Sequence, residues 1–498
     1  MNTYELGKKP LTLEDVHAIA TQRVRVSLSA QAKKRIEKAN AFLKKKSKSN
    51  EVIYGVNTGF GILSNVRIEK KDLAQLQVNL LRSHAVGTGT PLPREKVRAM
   101  VLLRAATLTQ GNSGVSLQVV EGLLQLLNSD VTPWIPEQGS VGASGDLSPL
   151  AHLALVLIGE GKAYVGGKLV SGKKALASKR LKPVLLGPKE GLALINGTQF
   201  MAALSVFAVL ESEQLMRVAN QAGAMTLEAL RGTTVAFDSK IHAVRPHPGQ
   251  IETARVLRDL LSYPKKSEIA ESHEGCGKVQ DPYSLRCMPQ VHGASLDTIR
   301  FVRSIIEREI NSVTDNPLVF VDQNQVLSGG NFHGQYLALA MDFLSIAMAE
   351  IASISEQRIE KLINPAISDL PAFLMKKSGV NSGFMIVQVA AASIVSENKT
   401  LTHPASVDTI PTSADKEDHV SMGAWAARKA LLVVENTRRV LAMELMAGAQ
   451  GIDLLRPLRS TATLEKLHSA IRKKVPYFTE DAPFYEAIEN VVAVTRSI

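Results

Sequence analysis

The sequence predicts a mainly α-helical protein, with a bundle of long central helices and a smaller mixed region at its N-terminus. Apolar residues recur at helical spacing through several long segments, and one of these, 198–230, contains no proline. Strand signals are few by comparison. A content of 45% hydrophobic and 21% charged residues is typical of a globular chain with a sizeable core.

The first part of the chain, residues 1–112, is expected to form the smaller head region. Its periodicity predicts short helices at 13–21, 30–45 and 71–83. The segments "YGVNTGFGIL" and "AVGTGTPLP" separate these helices, and their Gly, Asn, Thr and Pro content is typical of loops. Tyr54 opens the first of these two loops.

The remainder, residues 113–498, is expected to form the helical body. A Gly-Gly pair in "YVGGKLVSGKKAL" predicts one small strand hairpin. Long helices are predicted at 198–230, 296–310, 336–362 and 424–449. The last of these is apolar on nearly all sides, so it must be buried on most faces, in a central bundle or at a subunit interface.

The composition disfavours several classes of partner. Apolar stretches such as 150–158 and 384–395 are too short or too interrupted to span a bilayer, and no signal sequence is recognisable. We therefore expect a cytoplasmic protein without a membrane partner. The formal charge of +11 comes from short, dispersed basic runs without interleaved aromatic residues, which argues against nucleic acid and suits an anionic small substrate.

The two cysteines, Cys276 and Cys287, are too few for a disulfide framework. Together with His273 and His292 they are potential zinc ligands. The paired Cys-x-x-Cys spacing of structural zinc sites is missing, so the sequence predicts no metal site.

Residues 139–150, "GSVGASGDLSPL", contain a tripeptide that can react with its own backbone. Because Gly145 has no Cβ, its nitrogen can approach the Ala143 carbonyl carbon and close a five-membered ring. Loss of water from the ring and from the Ser144 side chain would leave an exocyclic methylene. The product would be an electrophile, whereas the competing interpretation of the same residues is an ordinary turn before a helix.

The residues after the tripeptide predict a helix start. Ser148 is expected to be the N-cap, with Pro149 at the first helical position and an apolar run from Leu150 to Ile158. The tripeptide would then lie just before a helix N-terminus, where backbone N–H groups and the helix dipole favour developing negative charge.

Six motifs carry a resemblance over nearly the whole chain: "VNLLRSHAVGTG", "GSVGASGDLSPLAH", "GLALINGTQ", "QDPYSLRCMPQVHGA", "GGNFHG" and "PTSADKEDHVSMG". The sequence resembles the aromatic amino acid ammonia-lyases, and is most similar to their histidine-specific members. The resemblance implies a 4-methylidene-imidazol-5-one (MIO) group formed from Ala143, Ser144 and Gly145, with no dissociable cofactor. It also implies conversion of L-histidine into trans-urocanate by a mostly helical homotetramer with shared active sites.

The same resemblance assigns roles in the elimination. Tyr54 matches the base, and its phenol, with an ordinary pKa near ~10, would need cationic or N–H-rich surroundings. Arg286 matches the carboxylate-binding arginine, while Gln280 and Tyr283 match neighbouring site positions. Asn196 matches the residue that hydrogen-bonds the prosthetic group or the substrate. The sequence leaves two reactions with the methylidene open. Either the substrate amine or the substrate ring could add to it.

Substrate choice is assigned by resemblance to three residues. His84 and Glu417 match positions around the imidazole ring of histidine, whose two nitrogens need polar partners. Phe332 would wall the pocket beside that ring. Many histidine-specific members have Asn-Gln before the glutamate, whereas this chain has Asp415 and Lys416.

Two alternatives stay open from the sequence. One is a tyrosine or phenylalanine ammonia-lyase, or an aminomutase, on the same scaffold. The other is a catalytically silent helical assembly that binds nucleic acid, which would show salt-sensitive retention of DNA or RNA.

Overall fold

The structure is a computed structural model that describes residues 3–22, 24–47, 52–59, 61, 65–273 and 279–498. The chain forms two compact units, each made of three segments. The first unit comprises 1–208, 303–342 and 404–428, and the second comprises 209–302, 343–403 and 429–498. The boundary predicted after residue 112 falls within the first unit, and the separate head region stays a prediction.

The first unit combines short helices with small sheets. Its strands are β1 (Thr3–Leu6), β2 (Arg25–Leu28), β3 (Thr88–Pro91), β4 (Thr132–Pro133), β5 (Pro136–Gln138), β6 (Lys162–Val165), β7 (Lys168–Ser171), β8 (Leu318–Phe320) and β9 (Gln325–Leu327). β1 and β2 pair in parallel, whereas β3–β5, β4–β6–β7 and β8–β9 are antiparallel. The segment "AVGTGTPLP" was expected to be entirely loop, but it contains the strand β3. This strand forms because it pairs with β5, which lies more distant in the sequence.

The helices of the first unit are α1 (Leu13–Gln22), α2 (Ala30–Ser47), α3 (Leu73–His84), α4 (Arg94–Leu108), α5 (Leu117–Asn128), α6 (Leu147–Leu157), α7 (Gly172–Ser178) and α8 (Glu190–Ile195). The first three confirm the predicted short helices. The predicted hairpin is confirmed by β6 and β7, since Gly166 and Gly167 have φ of 56° and 79°, the left-handed conformation that a tight hairpin turn requires.

The long predicted helices are confirmed as α9 (Gln199–Ala229), α14 (Met288–Glu309), α15 (Gln335–Ile363) and α18 (Gly423–Leu454), each of which has residues in both units. By length and composition α15 could cross a membrane, but 67% of its apolar window is buried, as in a core helix. The second unit also contains α10 (Ser239–Ala243), α11 (Pro248–Leu260), α12 (Glu268–Glu271), α13 (Tyr283–Arg286), α16 (Pro365–Ser368), α17 (Met385–Leu401), α19 (Ala462–Arg472) and α20 (Phe484–Thr495).

A buried ion pair links two long helices within the second unit. Arg358 donates through Nε and Nη2 to the two carboxylate oxygens of Glu444 at 2.5 and 2.8 Å, and both side chains are fully buried. Thr226 and Ser355 donate to the same carboxylate at 2.8 and 2.6 Å. The pair is stable in the interior because its polar atoms are hydrogen-bonded.

Candidate active site

The tripeptide lies in the loop between β5 and α6 in the first unit. Helix α6 begins at Leu147 with Asp146 at the N-cap position, so the expected N-cap at Ser148 was wrong. Ser148 and Pro149 lie inside the first turn instead. Because the helix starts two residues earlier, the tripeptide is even closer to its N-terminus than the sequence predicted.

Gly145 makes a close backbone contact with Gly197. Its φ is +74°, and a Cβ built at this position would lie 2.2 Å from the Gly197 carbonyl oxygen. The next residue, Asp146, donates its N–H to that same oxygen at 2.7 Å. A side chain at position 145 therefore fits neither the backbone conformation nor the available space.

Asn196, which follows α8, also contacts the tripeptide. Its Nδ2 donates to the Ser144 carbonyl oxygen at 3.0 Å. Its Oδ1 is buried and has no hydrogen-bond partner among the described residues. The side chain thus holds the middle residue of the tripeptide and keeps beside it an acceptor that no described residue uses.

Asp146 is a site residue that our sequence reasoning missed. Its Oδ2 accepts hydrogen bonds from the backbone N–H groups of Phe200 and Met201, in the first turn of α9, at 2.9 and 3.0 Å. Complete burial raises the pKa of this carboxyl to about 7, although the two N–H groups oppose the shift. Asp146 ties the tripeptide loop to α9, and its place directly after Gly145 was the available signal.

Tyr54 is positioned by a small apolar cluster. Its neighbours Ile53 and Val56 pack with Ala39, Leu43 and Val319. Burial raises the pKa of the Tyr54 phenol above its ordinary value, the Gly61 N–H lowers it, and the charge of Glu417 raises it. The Gly61 N–H donates to the phenol oxygen at 3.5 Å. Phe60 and residues 62–63 of the predicted loop lie outside the described residues.

His84 ends α3 and is half-buried. Its Nδ1 lies 3.0 Å from the Ser83 hydroxyl. Burial lowers the pKa of the imidazole below its ordinary value, while the Leu80 carbonyl and the Glu417 charge oppose this shift. The ring is therefore neutral at pH 7 and can act as either a donor or an acceptor.

Glu417 is held by two hydroxyl groups. Thr412 Oγ1 donates to Oε2 at 2.7 Å, and Ser144 Oγ donates to Oε1 at 3.0 Å. Thr412 and Glu417 also exchange two backbone hydrogen bonds across a tight loop. Three consecutive residues of that loop, 413–415, have positive φ of 50°, 51° and 62°. This backbone conformation is strained, and the loop that adopts it positions the Glu417 carboxylate.

These side chains face one cavity of about 810 Å³ within the first unit. Of the residues predicted from the sequence, its lining includes Tyr54, His84, Ala143, Ser144, Asn196, Phe332 and Glu417. Lys416, at the position of the departure from the family pattern, also lines it, as do His333 and His419, which sequence reasoning did not single out. A small polar molecule in this cavity would meet a phenol, an imidazole, a carboxylate and the tripeptide together.

Gly145, although part of the tripeptide, is not in this lining, and neither are three further predicted residues. Gln280, Tyr283 and Arg286 belong to the second unit, and Tyr283 is 71% exposed. The Arg286 guanidinium stacks on the Tyr283 ring at 4.5 Å, and its Nε is buried with no hydrogen-bond partner in the described part of the chain. The cavity and the expected carboxylate-binding arginine therefore belong to different units.

The tripeptide's surroundings fit a group made from its own backbone. Gly145 has no room for a side chain, Ser144 faces the cavity, and Asn196 Oδ1 is a buried acceptor for which the described residues provide no partner. Among the described residues, no group of three or more His, Cys, Asp or Glu side chains could hold a metal ion. Cys276, one of the zinc ligands considered above, lies outside the described residues, and His292 contacts Asn220 at 2.8 Å.

Comparison with known proteins gives consistent results. The profile of the aromatic amino acid lyase family matches residues 11–473. The histidine ammonia-lyase of Anaeromyxobacter dehalogenans is 52% identical over 99% of this chain and 98% of that protein.

Solved structures agree over the full length. The crystal structure of histidine ammonia-lyase from Trypanosoma cruzi is 45% identical, with a TM-score of 0.92, and covers 100% of this chain and 94% of its own. Tyrosine aminomutase from Streptomyces globisporus is 36% identical, with a TM-score of 0.93, over 99% of this chain and 97% of its own.

Proposed function

This chain belongs to the aromatic amino acid lyase family, and from that membership we propose that it eliminates ammonia from L-histidine to give trans-urocanate. The observation that carries the proposal is the placement of Ser144 in the cavity wall, between Asn196 and Glu417. The tripeptide and the polar groups suited to an imidazole ring meet at that point.

The prosthetic group of this proposal is MIO, formed from Ala143, Ser144 and Gly145, and the enzyme needs no dissociable cofactor. It supplies an electrophilic carbon that eases the loss of ammonia. Asn196 holds it through Nδ2, where its partner in this structure is the Ser144 carbonyl. Asp146 fixes the following backbone through α9, so the reactive segment is rigid before substrate arrives.

Tyr54 is the base that takes the proton from the substrate β-carbon. Burial raises the pKa of its phenol, so formation of the phenolate needs a cation near it when the site is complete. Arg286 is the cation that we assign, because its buried Nε has no hydrogen-bond partner among the described residues and its guanidinium can also hold the substrate carboxylate. Gln280 and Tyr283 accompany it on the same segment.

These three residues reach the cavity from neighbouring copies in a homotetramer with shared active sites. The proposal is supported by the exposure of Tyr283, which is 71%. Phe301, Phe343 and Ile346 of the second unit are 53%, 40% and 44% exposed, and an exposed apolar face of this kind is typical of a subunit interface.

Specificity for histidine comes from His84 and Glu417. The imidazole of the substrate needs a partner at each nitrogen. In the same cavity the Glu417 carboxylate accepts a hydrogen bond from one nitrogen, and the neutral His84 ring can donate to or accept from the other. Phe332, also in the lining, packs beside the ring. We place the reaction in the cytoplasm, with no nucleic-acid or membrane partner, since the basic residues are dispersed and α15 is mostly buried.

Side-by-side turnover of histidine, tyrosine and phenylalanine tests the proposal, together with the intact mass of the purified chain. We expect a preference for histidine and a mass lower by two water molecules. A preference for either other substrate removes the specificity, and an intact mass without that deficit removes the prosthetic group.

The second candidate is a tyrosine or phenylalanine ammonia-lyase or an aminomutase, which the similarity to tyrosine aminomutase favours. Ser83 and His84 at the cavity argue against it, because a polar pair beside a phenyl ring loses hydration without gaining a partner. Detection of a β-amino acid product by NMR would establish the aminomutase.

A further inference from the structure

The hydroxyl group that must leave Ser144 is hydrogen-bonded to a carboxylate. Ser144 Oγ donates to Glu417 Oε1 at 3.0 Å, while Thr412 holds Oε2 at 2.7 Å. Both Ser144 and Glu417 line the cavity and are half-buried. Glu417 therefore contacts the reacting atoms of the tripeptide before any substrate is present.

We propose that Glu417 carries the proton in the dehydration of Ser144, and so has a catalytic role in maturation besides its role toward the substrate ring. This inference rests on the proposed function, since the dehydration occurs only if the prosthetic group forms.

The two stages of maturation each release one water molecule. In the first, the Gly145 nitrogen bonds to the Ala143 carbonyl carbon, and that carbonyl oxygen leaves with the amide hydrogens of Ser144 and Gly145, which leaves a C=N bond. In the second, Glu417 takes the Cα hydrogen of Ser144 as a proton, and the released electron pair forms the Cα=Cβ bond. The Cβ–Oγ bond breaks, its electrons leave with Oγ, and Glu417 returns the proton to complete the water molecule.

The position of Glu417 suits both transfers in the second stage. The Cα carbon is separated from Oγ by Cβ alone, so a carboxylate in hydrogen-bond contact with Oγ is within reach of the Cα hydrogen as well. Thr412 keeps one carboxylate oxygen in place while the other exchanges the proton.

The neighbouring acids are less suited to this task. Asp146 accepts two backbone N–H groups of α9 through Oδ2, and its Oδ1 faces Ser140 at 3.5 Å. Asp418 lines the cavity, but Glu417 is the carboxylate that hydrogen-bonds to Ser144 Oγ among the residues that the structure describes.

Maturation also changes what Glu417 can bind. While the hydroxyl is present, it occupies Oε1. Once it has left as water, that oxygen loses its protein donor and becomes available to an N–H group of the substrate ring. The same carboxylate thus acts first on its own chain and then on the substrate.

The test follows maturation by mass rather than by turnover. Wild type, Glu417→Gln and the matched control Asp418→Asn are made by pulsed cell-free synthesis, and their intact masses are recorded over time. Glutamine keeps the shape and hydrogen-bonding capacity of glutamate but does not carry the proton. We expect wild type and Asp418→Asn to lose two water molecules, and Glu417→Gln to lose the second more slowly by roughly 10²-fold, the lower range for general acid–base catalysis.

Loss of both water molecules from Glu417→Gln at the wild-type rate overturns the inference. If Glu417→Gln matures at the wild-type rate but turns histidine over slowly, the inference fails and the proposed function stands. A wild-type chain that loses no water overturns both the inference and the proposed function. Glu417→Asp guards against a folding defect, because it retains a carboxylate and is expected to mature faster than Glu417→Gln. Equal rates for the two variants also contradict the role.

Discussion

Replacing Gly145 by alanine tests the steric basis of the site. The residue has φ of +74°, and the new Cβ would lie 2.2 Å from the Gly197 carbonyl oxygen and 2.5 Å from its carbonyl carbon. Alanine in the left-handed region costs about 1–2 kcal/mol. The neighbour is backbone and not a flexible side chain, so the clash adds roughly 1–3 kcal/mol, as in other overpacked sites. We expect destabilisation of about 2–5 kcal/mol in total.

Gly167→Ala is the matched control. Gly167 has a similar φ of +79°, but no described atom lies within 4 Å of its added Cβ. This variant should show only the conformational cost of about 1–2 kcal/mol. The difference between the two variants therefore isolates the contact between Gly145 and Gly197.

Thermal unfolding midpoints and intact masses measure the outcome. Gly145→Ala should unfold at a lower temperature than Gly167→Ala and should lack the mass deficit of two water molecules. The reasoning is refuted if the two variants unfold together and Gly145→Ala still matures at the wild-type rate.

Three further predictions concern other parts of the molecule. Tyr54→Phe should lower kcat roughly 10²–10⁴-fold. Burial raises the pKa of the wild-type phenol, so the phenolate fraction and kcat/KM should rise with pH through the basic range, and a wild-type profile that is flat there contradicts the assignment. His84→Leu should shift the kcat/KM ratio from histidine toward phenylalanine by roughly 10–10²-fold, and an unchanged ratio removes His84 from substrate selection. Arg358→Met leaves the buried Glu444 carboxylate without its cation and should cost about 3–5 kcal/mol in chemical unfolding. The control Arg255→Met, at an exposed ion pair, should cost less than ~1 kcal/mol, and equal costs would contradict the importance of burial.

Much of the helical architecture was predictable because its signal is local. The long helices α9, α15 and α18 begin and end close to the predicted limits, since apolar periodicity and the absence of helix breakers act within each segment. The β6–β7 turn was predictable for the same reason, because its two glycines permit positive φ.

The start of α6 shows where local reasoning failed. Ser148 has the side chain of an N-cap, but Asp146 occupies that position, and its carboxylate bonds to the N-terminus of α9, more than fifty residues along the chain. Helix N-cap preferences are defined for single positions, so they do not account for a hydrogen-bond partner so distant in sequence.

By itself, the sequence determined the long helices, the reactive tripeptide and, through the resemblance, the residues proposed for the site. Only the tertiary structure decided which of them share a cavity: Tyr54, His84, Asn196 and Glu417 line it with Ser144, whereas Arg286 lies in the other unit. It also decided that Gly145 meets Gly197 and that Ser144 donates to Glu417. Helix formation depends on neighbours a few positions apart, but these contacts join segments distant in sequence, and their geometry is fixed only when the chain packs.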